Sequence, residues 1–458
     1  MIRFATEMIC FRSGRALGRR SRSAATRLVL PWLLWCGAAP VAGQGLGLDR
    51  RITSALNQVS PERLAEYLET LTDFETRHSL SLSDRDDWGV RPAREYILET
   101  FQSFSPRLQV DLDCYQVTPQ GRIPEEAELC NVVAVLPGRS ARRIYVSGHY
   151  DSVARRGDGS FDWGRWDNPA PGANDDGSGT VLTMEVARVL SQSGLDFDAT
   201  LVFVAFVAEE EGLVGASLHA ARALEEGWSI DAVFNNDIVG NSTGGNGIQD
   251  SRTVRVFSED PMDSPSRQLA RYIRRYASLY VPGHEVRLIA REDRFGRGGD
   301  HTAFNRQGFT GVRFSESREN YSRQHMPEDT FDGVDFAYLA RNTRVNAAAV
   351  ASLALAPPAP DVMGRGGPRL TRGESGYDAE LAWARSPGAV GYRIVWREAW
   401  TPDWQYEVYV GDDDGLTLPD ISIDDYVFGI AAVGSDGHES LVAAYVRPPR
   451  PRNDVQTR

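Results

Sequence analysis

Apolar residues recur at helical spacing over residues 50–74 and 88–104, the pattern of helices with one buried stripe. Ser60 followed by Pro61 lies inside the first stretch, and a capping side chain ahead of a residue with a preset φ predicts that a helix restarts there. From residue 131 the period changes. Runs rich in β-branched and aromatic residues at 131–136, 143–147, 199–207, 232–234 and 311–314 predict strands. Helical patterns at 179–190, 215–226 and 265–280 lie between several of them, and a helix at 336–355 closes the series. This order predicts an α/β fold, a mostly parallel mixed sheet flanked by helices.

Residues 356–360 read Ala-Pro-Pro-Ala-Pro and 364–368 read Gly-Arg-Gly-Gly-Pro, which continue neither helix nor strand. A linker is therefore expected at 356–368, separating a domain at 44–355 from one at 369–448. Beyond the linker, short alternating runs such as 392–396 and 426–430 between Gly- and Asp-rich turns predict a C-terminal all-β sandwich. This tail resembles a fibronectin type III domain, through Trp383 in an early strand, Tyr392 in a middle one and Tyr426 after the turn region at 416–421. The resemblance implies a fold and says nothing of a ligand. As an accessory module, residues 361–458 are expected to be removable with the chemistry intact.

A length of 458 residues with 41% hydrophobic content suits roughly two or three domains. Residues 1–43 carry seven arginines and one acid, Glu7, and end in an apolar stretch at 28–42 broken by Pro31 and Pro40. That stretch falls short of the ~20 residues of a membrane span. It predicts a cleaved signal peptide and a secreted or periplasmic mature chain with no membrane span. Removing this +6 segment takes the formal charge from −13 to −19, which argues against nucleic acid as a partner. All 50 basic residues are arginine, which reads as coding composition or, alternatively, salt adaptation of the acidic surface, and neither bears on mechanism. Cys10 and Cys36 would leave with the signal. Cys114 and Cys130 remain as an even pair in an exported chain, which predicts a disulfide, the alternative being two buried thiols.

Three predicted strands end in metal-ligand residue types: His149 and Asp151 after 143–147, Glu209 and Glu210 after 199–207, and Asp237 after 232–234. Ligands of open α/β sheets collect beyond such carboxyl ends. Together with Asp175 and His325 these are the donors divalent zinc takes, so the chain reads as a metallohydrolase. Either Asp175 or Asp176 offers a shared carboxylate. Neighbouring residues of an extended segment point opposite ways, so Glu209 and Glu210 share a cavity only if the chain turns there. Asp151 is either the partner that orients the His149 imidazole or a turn-stabilising acid. Phe161, Trp163 and Trp166 lie in a loop expected to overhang the cleft, shaping an apolar pocket or packing against the sheet.

The segments Ser147-Gly148-His149-Tyr150-Asp151-Ser152, Pro171-Gly172-Ala173-Asn174-Asp175-Asp176-Gly177-Ser178-Gly179, Ala208-Glu209-Glu210-Glu211-Gly212-Leu213, Asn236-Asp237, and His325 with Asp329-Thr330 occur in that order. From residue 62 to 355 the chain resembles the two-zinc metallo-exopeptidase family of secreted bacterial leucyl-type aminopeptidases. The resemblance implies two zinc ions per chain, bridged by Asp175, with His149 and Asp237 completing one site and Glu210 and His325 the other. It makes Glu209 the general base and implies a cis bond between Asp175 and Asp176. Residues 299–304 match a further family segment, in which His301 is structural. Tyr321 is a weaker candidate for binding the developing oxyanion, because the family's tyrosine is placed differently. The implied activity is removal of N-terminal residues from peptides with a free N-terminus. The same metals serve a dipeptidase or carboxypeptidase, and a glutaminyl cyclase on this scaffold would use one zinc. A binding protein with a relic site is the non-enzymatic alternative.

Overall fold

The computed structural model describes residues 47–81, 85–161, 163 and 167–447. The expected signal peptide at 1–43, Trp166 and the last residue of the expected sandwich, 448, lie outside them. The helical pattern at 50–74 forms two helices, α1 (Arg50–Leu56) and α2 (Pro61–Asp73). The break is local chemistry: Ser60 is extended, its hydroxyl accepts the Arg63 N–H at 3.2 Å, and Pro61 occupies the first helical position. Helix α3 (Val90–Phe104) follows.

The large sheet contains β1 (Gln109–Val117), β2 (Ala127–Leu136), β3 (Arg143–His149), β4 (Thr200–Phe206), β5 (Ile230–Asn236), β6 (Thr253–Ser258), β7 (Glu285–Ile289) and β8 (Gly311–Glu316), in the order β1-β2-β4-β3-β5-β8-β6-β7. The helices between and after the strands are α4 (Ser178–Gln192), α5 (Val214–Glu225), α6 (Pro265–Tyr280), α7 (Asp300–Arg306) and α8 (Phe336–Leu355). The centre, β4-β3-β5-β8, is parallel, while β1, β2 and the β6–β8 pairing are antiparallel, so the sheet is mixed.

Strand β4 shows why the centre holds. Leu201, Phe203 and Ala205 join the core that contains α4 and α8, whereas Val202, Val204 and Phe206 join the one containing Ala216 and Ala220 of α5 and Phe304 of α7. A strand covered on both faces has no solvent side, hence its unbroken apolar sequence. Because β3, β4 and β5 are parallel neighbours, with His149 opposite Phe206 and Ser147 opposite Asn235, their carboxyl ends reach one rim.

The C-terminal strands form a three-stranded sheet (Leu370–Thr371, Ala379–Ala382, Gly415–Leu418) and a four-stranded one (Tyr406–Val410, Ala389–Glu398, Tyr426–Gly434, Ala443–Ala444), antiparallel throughout. Both contribute to one core around Trp383, Tyr392, Ile394 and Phe428. Tyr426 is only partly buried. Within the expected linker, Met363–Gly364 pairs with Gly367–Pro368. The sandwich is fastened to α6 and its approach. Arg397 makes two hydrogen bonds to Asp263, at 2.7 and 2.9 Å, Trp404 Nε1 donates to Gln268 at 3.1 Å, and the Arg271 guanidinium donates to the Pro402 carbonyl.

Candidate metal centre

Each predicted ligand leaves a strand end or a constrained loop, and the loops are set by backbone geometry. Ala208, just past β4, takes a left-handed φ of 59°. A non-glycine residue adopts this conformation only where its surroundings impose it. The turn lets Glu209 and Glu210 face one cavity. His325 has a similar φ of 56°. Asp175 and Asp176 lie in a tight turn at Ala173–Gly177, ahead of α4, with a cis peptide bond between them.

The two aspartates have separate tasks. Asp176 is fully buried and accepts three backbone N–H groups, those of His149 (3.0 Å), Gly179 (2.9 Å) and Ile238 (3.1 Å). It ties the end of β3, the start of α4 and the segment after β5 together. A side chain at Gly179 would place its first carbon 2.1 Å from the Asn236 carbonyl and 2.4 Å from an Asp176 oxygen, so only glycine admits this junction. Asp175 turns the other way: Oδ1 lies 3.4 Å from His149 Nε2, and Oδ2 lies 2.9 Å from His325 Nε2.

Ligand atoms of His149, Asp175 and Asp237 lie within 4.8 Å of one another, and so do those of Asp175, Glu210 and His325. Asp175 belongs to both sets. Glu209 belongs to neither, although with His149 and Glu210 it forms a third, overlapping group. Its Oε2 is 4.0 Å from His149 Nε2. Burial drives the Glu209 carboxyl well above the ordinary carboxylate range, His149 pulls it back, and Asp237, Glu210 and Asp300 push it further up.

Asp151 differs from the simplest expectation. The His149 Nδ1–H donates to the Asp151 carbonyl at 3.1 Å, while the nearest carboxylate oxygen is 3.5 Å away. That carboxylate instead accepts the N–H groups of Glu209 (3.2 Å) and Glu210 (3.1 Å). The one residue thus orients the imidazole through its backbone and holds the glutamate turn through its side chain. With Nδ1 protonated, Nε2 of a neutral ring is the free lone pair facing the site.

Other supporting groups, apart from Asp329 of the His325 motif, have no local sequence signature. Arg77, fully buried, donates to the carbonyls of Tyr150, Pro171 and Gly172 and joins the loops carrying His149 and Asp175. Arg313, also fully buried, pairs with Asp237 at 2.7 Å and with Asp293 at 3.1 Å. Asp329 accepts the N–H groups of Asn174 and Asp175. Gln324 donates to Asp175 Oδ2 at 3.2 Å. These residues act across long sequence separations, which periodicity does not register.

The remaining candidates lie apart from the two sets. His301 is fully buried in α7, with Nε2 3.0 Å from the Glu292 carbonyl. Tyr321 is 66% exposed at the cleft. Phe161 lies edge-on to His325, ring centres 5.6 Å apart, so the loop does reach the site. Cys114 and Cys130 face one another across the β1–β2 hairpin and are disulfide-bonded.

The donor set suits a borderline divalent cation: two imidazoles and three carboxylates, with His149 Nε2 and Glu210 Oε1 buried and without a hydrogen-bond partner. Buried polar atoms are left in that state where a ligand satisfies them.

A family model described as "Peptidase family M28" matches residues 131–350. A protein of Pyricularia oryzae described as a probable zinc metalloprotease is 34% identical over 433 residues, covering 86% of this chain and 84% of its own. One of Leptosphaeria maculans with the same description is 33% identical over 439 residues, covering 86% of this chain and 98% of its own. Among solved structures, the LapA aminopeptidase of Legionella pneumophila is 20% identical with a TM-score of 0.52, covering 67% of this chain and 75% of its own. The Fimbriiglobus ruber glutaminyl cyclase is 19% identical with a TM-score of 0.51, covering 64% of this chain and 95% of its own. These two structures share the fold.

Proposed function

The chain belongs to peptidase family M28 and is a zinc-dependent peptidase, and on that premise we propose that it is a two-zinc aminopeptidase releasing residues from free peptide N-termini. One observation carries the reading: the two oxygens of Asp175 divide between His149 and His325, each of which belongs to a separate ligand set. In this reading His149 and Asp237 complete one site, Glu210 and His325 complete the other, and Asp175 serves both.

Zinc held by these five residues would supply Lewis acidity toward the scissile carbonyl and the attacking water. Glu209 takes a proton from that water as the new C–O bond forms, and delivers it to the nitrogen as the C–N bond breaks. The Asp151 carboxylate holds Glu209 and Glu210 in register through their backbone N–H groups. Arg313 occupies one oxygen of Asp237 and so fixes how that carboxylate is presented. The acidic floor suits a free α-ammonium better than a carboxylate at the substrate's end, which favours an aminopeptidase over a carboxypeptidase.

We also read residues 1–43 as an export signal and 369–448 as a fibronectin type III-like domain. The Cys114–Cys130 disulfide supports an oxidising destination, outside the cell or in the periplasm.

Stripping the protein with a chelator and restoring zinc stepwise tests the function, using a peptide with a free N-terminus and its N-acetylated counterpart. The expected outcome is activity that saturates at two equivalents of zinc on the free peptide alone. Saturation at one equivalent with cyclisation of N-terminal glutamine would instead establish the cyclase reading, and cleavage of the acetylated peptide would remove the aminopeptidase assignment.

A further inference from the structure

The cleft above the candidate metal centre encloses about 970 Å³, and its walls have the opposite charge to its floor. Four arginines line it, Arg122, Arg155, Arg297 and Arg306, all exposed. In a chain with 63 acidic residues against 50 basic ones, an acid is the ordinary neighbour of a guanidinium. Among the described residues, none of these four has a carboxylate oxygen within 4.0 Å.

Three of them, Arg122, Arg155 and Arg297, are nevertheless held in place. Arg155 lies over the ring of Phe161 at 4.3 Å, Phe161 stacks on Trp163 with ring centres 4.9 Å apart, and Arg122 lies over Trp163 at 4.7 Å. This ladder alternates cation, ring, ring, cation. It immobilises two guanidinia on aromatic faces, which leave their charge unneutralised. Arg122 also donates to the Glu210 carbonyl at 2.6 Å. Arg297 donates to Gln324 Oε1 at 3.0 Å, and Gln324 donates in turn to Asp175. The positive wall is thus anchored within one or two hydrogen bonds of the acidic floor.

A guanidinium fork matches a carboxylate in shape and charge. We propose that this wall is an anion-recognising subsite, and that the substrates are peptides presenting a carboxylate close to the scissile bond. The proposal rests on the peptidase reading of the floor. The carboxylate belongs either to an acidic side chain after the cleaved bond or to the C-terminus of a very short peptide, since a residue spans at most ~3.6 Å.

Two pairs of peptides separate these sources on the zinc-loaded full chain: Leu-Asp-Ala amide against Leu-Asn-Ala amide, and Leu-Ala against Leu-Ala amide. The readouts are kcat/KM on the wild type and Kd on Glu209→Gln, so binding is measured without turnover. At least one pair should favour the carboxylate by about tenfold in both readouts. A preference in the first pair assigns the side chain, and in the second the C-terminus. In Arg155→Gln/Arg306→Gln, checked for an unchanged melting temperature, the ratio should fall about fivefold. Equal values within both pairs, or a preference unaffected by that double substitution, overturn the proposal while leaving the peptidase intact. A binding preference without any peptide cleavage by the wild type would uphold the subsite and remove the peptidase reading.

Discussion

The Asp151 carboxylate accepts the backbone N–H of Glu209 at 3.2 Å and so grips the residue proposed to move the proton. Asp151→Asn keeps the shape but turns one acceptor into a donor facing an N–H group. Turnover or zinc affinity should drop about 10–100-fold, as for other groups that support a metal ligand. Zinc titration alongside steady-state kinetics separates the two effects.

Glu209 and Glu210 are neighbours with different proposed tasks, and substitution should divide them. Glu209→Gln is expected to retain zinc and lose about 10²–10⁴ in kcat. Glu210→Gln should instead lower the zinc content. Elemental analysis with anilide hydrolysis reads both, and an unimpaired Glu209→Gln enzyme would take Glu209 out of the chemistry.

The C-terminal sandwich shares buried ion pairs with the rest of the chain. Arg397, 1% exposed, donates twice to Asp263. Asp263→Asn leaves that guanidinium short of its anion, at a cost of about 3–5 kcal/mol. The melting temperature should fall while kcat is retained. Removal of 361–458 strips the same partners from Asp263, Gln268 and Arg271, so the truncated chain should be unstable even if its chemistry survives, and refolding yield measures this.

Asp113 gives a pH dependence remote from the metal ligands. Burial raises its pKa, but hydrogen bonding and the charge of His219, with hydrogen bonds from Tyr115 and Asn131, outweigh it and hold the carboxyl at about 2. An unfolded aspartate titrates near ~3.9. The folded pKa is therefore the lower one, so the stabilisation is present above ~pH 4 and is lost as pH falls through about 2. The stability difference between wild type and Asp113→Asn should shrink across that window in urea melts, and a difference that stays constant would remove Asp113 from the acid response.

Local pattern made part of this structure legible. His149, Glu209 and Asp237 could be located because buried parallel strands have unbroken apolar sequences, and their ends mark the rim. The hairpin strand β1 carries no such mark, because along Gln109–Val117 exposed Gln109, Asp111, Cys114 and Gln116 alternate irregularly with half-buried residues and the buried Asp113, leaving no strong apolar face. Strands β6 and β7 are short, and only their pairing in the sheet identifies them. Residue pattern alone leaves Asp175 and Asp176 open and only the resemblance favours Asp175; the physical reason, three distant N–H groups captured by Asp176, is tertiary. Arg77 and Arg313 were invisible for the same reason: their partners are brought together by tertiary structure.

In the proposed two-zinc centre, the shared position of Asp175 has a consequence for how such a centre diverges. Drift at His149 or Asp237 touches one half of the pair, and drift at Glu210 or His325 touches the other. A change at Asp175 spares neither. On that reading, economising to a single cation costs least at the outer ligands and spares the middle carboxylate.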